Sequence, residues 1–110
     1  EIGEGLARVA QRHHALVVAS SDMSHYVPAA VARRKDRLAI DRMLALDARG
    51  LHEVVSSEGI SMCGYVPATI MVVAAVAAGA REAELVRYAS SGDVTGDDRS
   101  VVGYAGLVLT

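Results

Sequence analysis

The chain has 110 residues, a net charge of −2, one cysteine and 52% hydrophobic side chains. That length suits one small domain, residues 1–110, and the charge offers no broad field for nucleic acid or an anionic membrane. One cysteine excludes an internal disulfide and fits a reducing, cytoplasmic setting.

With no Phe and no Trp, a core must be built from closely packed small aliphatic side chains. The surplus of small apolar residues points to missing context, either a partner subunit or the rest of a larger domain. The chain starts at Glu1, without an initiator Met or a signal peptide, and so reads as a processed or partial chain.

Ile2, Leu6, Val9 and Ala10 fall near one face and predict a helix over 2–12. After His13-His14, read as a surface pair, the run Ala15-Leu16-Val17-Val18-Ala19 predicts a strand over 15–20. Its continuous apolar character suits burial on both faces. Residues 21–29 then form a loop that Pro28 helps to hold.

A helix is predicted over 30–47, with Leu38, Ile40, Met43 and Leu44 as its apolar stripe. Within it, Arg33-Arg34-Lys35-Asp36-Arg37 reads as a solvated face, with Arg37 and Asp41 spaced as an ion pair. The run has no interleaved aromatics for stacking bases. A short helix over 50–57 stops near Gly59, and a second loop spans 60–66.

Pro67 opens the next helix and Gly79 closes it. Ile70 to Ala78 is apolar all round, which predicts packing on every side. The whole apolar run from Val66 to Ala80 is 15 residues, short of the roughly 20 that span a bilayer. A strand over 84–91, a turn-rich segment over 92–98 and a strand over 101–109 complete the chain. This order predicts a layered α/β domain with a mixed sheet.

The chemistry concentrates in two places. Ser20-Ser21-Asp22-Met23-Ser24-His25-Tyr26 crowds polar side chains at the end of the predicted first strand, where open α/β folds place their sites. His25 is the acid/base candidate, with Asp22 three residues before it. The second place is Met62-Cys63-Gly64-Tyr65-Val66-Pro67. Cys63 precedes a helix start, where free N–H groups and the dipole favour negative charge, so it suits a ligand or a nucleophile.

A serine hydrolase is disfavoured because the Gly-x-Ser-x-Gly elbow is absent. A Cys63–His25 thiol hydrolase is a minor alternative. Gly3-Glu4-Gly5 has no preceding strand for a dinucleotide loop, and the acidic 93–98 segment lacks the final carboxylate of a calcium loop. Cys63, His25 and Asp22 together offer an incomplete mixed metal site, short of the four ligands of a closed zinc centre.

Four segments, in order, resemble the Memo family, whose bacterial and archaeal members are often called AmmeMemoRadiSam system protein B. They are Val17-Val18-Ala19-Ser20-Ser21-Asp22-Met23-Ser24-His25-Tyr26, Lys35-Asp36-Arg37-Leu38-Ala39-Ile40-Asp41, the Met62 to Pro67 loop, and Tyr88 to Asp97. The resemblance implies a fold like that of the class III extradiol dioxygenases, which use non-haem iron(II). It implies that Cys63 is the metal ligand standing where those enzymes have a carboxylate. His25 matches their acid/base histidine, and Asp22 a pocket acid beside it. Tyr26 and Tyr65 flank the site segments as pocket residues, with Ser21 and Gly64 beside them.

The resemblance also implies that this chain is the C-terminal portion of a longer domain. The two N-terminal histidine ligands have no counterpart, since His13 and His14 precede the predicted strand and His52 lies in a helix. A thiolate in place of a carboxylate shifts metal preference from iron towards softer, redox-active ions such as copper.

The expectation is therefore a dioxygenase-type pocket for iron(II) or copper with redox or oxygen chemistry. Its remaining ligands come from the missing N-terminal half, a partner chain or a homo-oligomer. The alternative is a non-enzymatic module that binds a peptide or small molecule in the same pocket.

Overall fold

The computed structural model describes residues 1–110. Its elements, in chain order, are α1 (Ile2–His13), β1 (His25–Val27), α2 (Ala29–Leu44), α3 (Ala48–Ser57), α4 (Tyr65–Ala77), β2 (Ala83–Ser90), α5 (Gly92–Thr95) and β3 (Val101–Leu109). The strands form a sheet in the order β1-β3-β2. The α/β class and layering follow the expectation, but both strand pairs are antiparallel, so the sheet lacks the mixed character predicted for it.

The missing element is the strand predicted over 15–20. These residues join no ladder, and no backbone amide from Leu16 to Asp22 donates a hydrogen bond within the chain. Leu16 is 88% exposed and Val18 76% exposed. An apolar run can be a doubly buried strand only if strands flank it, and β1, β2 and β3 pair elsewhere.

Helix boundaries follow local chemistry. α2 stops at Leu44, three residues earlier than predicted, because the chain turns through Leu46 at φ 55°. Asp47 then caps α3, its Oδ1 accepting the Gly50 amide at 2.9 Å. α4 starts at Tyr65 rather than Pro67. Pro67 still costs nothing, because the first intrahelical donor is the Ala68 amide, which bonds the Gly64 carbonyl. At the far end Gly79, at φ 101°, donates to Val76 while Ala80 donates to Ala75, the pairing of a Schellman stop.

The core joins α2, α3 and α4 through Ile40, Leu51 and Val72, and partly buried side chains of β2 and β3 pack against it. α4 is not packed on every side: Val72 and Ala74 are buried, but Val76 is 48% exposed. The last turn of α4 instead edges an apolar groove of about 730 Å³, shared with α1, residues 15–19 and the end of β3. Alternation in the loop before α4 sends Ile60 and Met62 into the core and leaves Ser61 and Cys63 outside. No helix is long and apolar enough to cross a membrane.

Candidate metal centre

Two segments meet at the site: residues 20–26, leading into β1, and residues 60–64, leading into α4. Met23 anchors the first through its buried side chain and through its amide, which bonds the Gly103 carbonyl at 2.9 Å. Ile60 and Met62 anchor the second. The anchors leave Asp22, Ser61 and Cys63 on the outer side, facing one another across the gap.

Ser21 ties the segments together. Its hydroxyl accepts the Gly64 amide at 2.8 Å and donates to the Asp22 carbonyl at 2.6 Å. Gly64 allows this approach, since a Cβ there would lie 2.6 Å from the Ser20 carbonyl oxygen and the Ser21 Cβ. Cys63 Sγ sits 3.7 Å from Ser21 Oγ and 4.0 Å from the Asp22 carbonyl oxygen. Cys63 lies immediately before Gly64, the N-cap of α4, as expected from its place in the sequence.

His25 is held on two sides. Its backbone amide donates to Ser61 Oγ at 2.7 Å, and its ring Nδ1 lies 2.5 Å from the Ser61 carbonyl oxygen. A carbonyl only accepts, so Nδ1 carries the hydrogen. In the neutral ring, Nε2 then presents a lone pair, and it stands 3.5 Å from Asp22 Oδ2. One donor atom each from Asp22, His25 and Cys63 lies within 4.8 Å of the others. A carboxylate, an imidazole and a thiol thus share one small volume, three groups of the kinds that bind transition metals.

The structure thus brings together Asp22, His25 and Cys63, with Ser21 and Gly64 supporting them. The two tyrosines stand differently. Tyr26 lies beside the His25 ring, with centroids 5.9 Å apart, but is 80% exposed. It takes a φ of 57° at an irregularity in the β1–β3 register. Tyr65 is half-buried and leans on His52, with ring centroids 5.5 Å apart. His13 and His14 are exposed at the end of α1, away from this cluster.

Sequence reasoning missed Ser61, whose only signal is its place two residues before Cys63. It also misplaced Asp36. Instead of lying on the solvated basic face, Asp36 is fully buried and accepts the Ser24 amide at 2.8 Å and the Tyr88 phenol at 2.6 Å. A helix face fixes this outcome: Arg37 turns outward to pair with Asp41 at 2.7 Å, whereas Asp36 turns inward with Ala32, Ala39, Ile40 and Met43. Burial, then the bond to Asp36 and the nearby carboxylate, hold the Tyr88 phenol above its ordinary pKa of 10.0.

The family model for Memo-like proteins matches residues 1–108. A MEMO1 family protein of Methanopyrus kandleri is 46% identical over 111 residues, covering 99% of this chain and 39% of its own length. Another, from Methanothermobacter thermautotrophicus, is 50% identical over 93 residues, covering 84% of this chain and 34% of its own. A third, from Aquifex aeolicus, is 43% identical over 109 residues, covering 99% and 41% respectively. The chain spans about two fifths of the length of the curated relatives it matches. With a match along nearly all of its residues, this chain belongs to the Memo-like protein family.

Proposed function

We propose that Cys63, His25 and Asp22 form one wall of a metal pocket of the dioxygenase type, taking iron(II) or copper. The observation that carries this reading is the convergence of the Cys63 thiol, a ring nitrogen of His25 and the Asp22 carboxylate within 4.8 Å of one another. A thiolate ligand suits a borderline or soft transition ion better than calcium or magnesium. Further ligands come from protein outside these 110 residues, either the rest of a chain of the relatives' length or a partner chain.

In this reading Cys63 is the protein's sulfur ligand. His25 handles the proton: its Nδ1 is committed to Ser61, which leaves Nε2 as the basic atom facing the pocket. Asp22 orients the charged imidazole through its 3.5 Å approach. Ser21 keeps Cys63 beside Asp22 by holding the start of α4. When bound, the metal supplies Lewis-acid or redox chemistry at this wall. Cys63 Sγ has Ser21 and Asp22 as its neighbours rather than a hydrogen bond to the imidazole, which weighs against the thiol-hydrolase alternative.

The test is metal content in protein expressed from its complete reading frame, measured by elemental analysis. About one iron or copper per chain is expected, with strong loss in Cys63→Ala. Unchanged metal content in that variant removes Cys63 as a ligand.

A further inference from the structure

Asp36 stands in α2 amid Arg33, Arg34, Lys35 and Arg37, yet it is fully buried. A buried carboxylate needs specific partners, and each of its oxygens has one. Oδ1 accepts the Ser24 amide at 2.8 Å and Oδ2 accepts the Tyr88 hydroxyl at 2.6 Å. Gly103 of β3 closes against the same group. A Cβ there would collide with Asp36 Oδ2 and lie 2.9 Å from the Tyr88 hydroxyl. One carboxylate therefore joins α2, β2, β3 and the segment leading into β1. The atom it takes from that segment is the backbone N–H of Ser24, the residue before His25.

We propose that Asp36, held by Tyr88, is a positioning residue that pins the Met23–Ser24 peptide, one residue before His25, and so aims the His25 ring at Asp22 and Cys63. The inference rests on the reading of those three residues as the site. The bond goes to the backbone, so it sets the path of the chain whatever the neighbouring side chains do.

The next residues carry the same signature. Tyr26 is held at φ 57°, a conformation a tyrosine keeps only where its surroundings over-determine it. The constraints on that turn are Asp36 on the Ser24 amide, Ser61 on the His25 amide, and the Gly103 amide on the Ser24 carbonyl at 2.9 Å. An apolar side chain would fill the Asp36 position without the desolvation cost of a carboxylate. What it would not supply is an acceptor for Ser24 and a fixed partner for Tyr88.

The experiment is ring ¹⁵N NMR of His25 in the full chain, treated with chelator, at a pH where imidazoles are neutral. The parent is expected to show predominantly the Nδ1–H form. Asp36→Leu is expected to give a mixture of both tautomers, with the Nδ1–H fraction cut to about half. Asp36→Asn, which keeps an acceptor for the Ser24 amide, is expected to restore the parent spectrum.

Tyr88→Phe covers the case in which Asp36→Leu fails to fold. It is expected to speed hydrogen exchange at the Ser24 amide by at least about tenfold, with partial tautomer mixing. A parent-like His25 spectrum in folded Asp36→Leu, or in Tyr88→Phe with unchanged Ser24 exchange, overturns the proposal and leaves Asp36 a purely structural group. Because the readout needs no metal, it stands apart from the metal analysis of Cys63→Ala, which alone decides the pocket reading.

Discussion

Ser61 grips His25 at two points, its hydroxyl accepting the backbone amide and its carbonyl accepting the ring Nδ1. The two contacts have different origins, so substitution separates them. Ser61→Ala removes the hydroxyl and keeps the carbonyl. The expected cost is about 1 kcal/mol of folding stability for one lost hydrogen bond, measured by urea denaturation. The ring is expected to stay in its Nδ1–H form. A ring that changes tautomer in this variant would show that the hydroxyl, rather than the carbonyl, sets its state.

Cys63 and His25 are assigned different duties, and metal binding tells them apart. Removing a group that merely supports a ligand typically weakens metal affinity by about 10- to 100-fold. Cys63→Ala is therefore expected to weaken binding by more than about 100-fold, the cost of a ligand exceeding that of a support. His25→Gln is expected to leave metal content near that of the parent. Equal losses in the two variants, followed by elemental analysis after dialysis, would make His25 a ligand instead of the proton carrier.

Gly64 is the contact point between the two site segments. In Gly64→Ala, the new methyl meets the Ser20 carbonyl and the Ser21 side chain at 2.6 Å. The segments must part, at a cost of about 1–3 kcal/mol as in other overpacked positions. The Ser21–Gly64 bond is expected to break and metal affinity to fall with it. Parent-like melting temperature and metal affinity would show that the segments part without strain.

Tyr88 gives the fold a pH dependence with a definite sign. Burial, then its bond to Asp36, keep the phenol protonated in the folded chain above its ordinary value of 10.0. The unfolded chain releases that proton near the ordinary value, so above it the unfolded state binds fewer protons and stability falls as pH rises. The contribution is complete below that value and is lost as pH climbs towards the raised folded one. Tyr88→Phe is expected to lose this alkaline component of denaturation. An identical alkaline stability profile in parent and variant would contradict the assignment.

The three residues that the structure brings together at the candidate site were legible because their types are few and their segments short. Asp22, His25 and Cys63 are chemically distinctive, and the helix start after Cys63 was readable from Pro67. Ser61 was not legible, because one serine in a loop gives no sign that its carbonyl will face a ring. Asp36 was misread for a physical reason: four basic neighbours point to solvent, whereas its burial depends on Tyr88 and Ser24, distant in sequence. The strand over 15–20 failed differently. Its apolar pattern is sound, but a strand exists only through its neighbours, and none pairs with it among these residues.

Leu16 and Val18 stand in water along a stretch whose amides find no partner within the chain. Open backbone beside exposed aliphatic side chains is a template for adhesion between identical chains. These 110 residues, prepared alone, are expected to clump through this stretch, and charged substitutions at Leu16 and Val18 to keep them dispersed. Purification yield then becomes a report on whether this edge is covered.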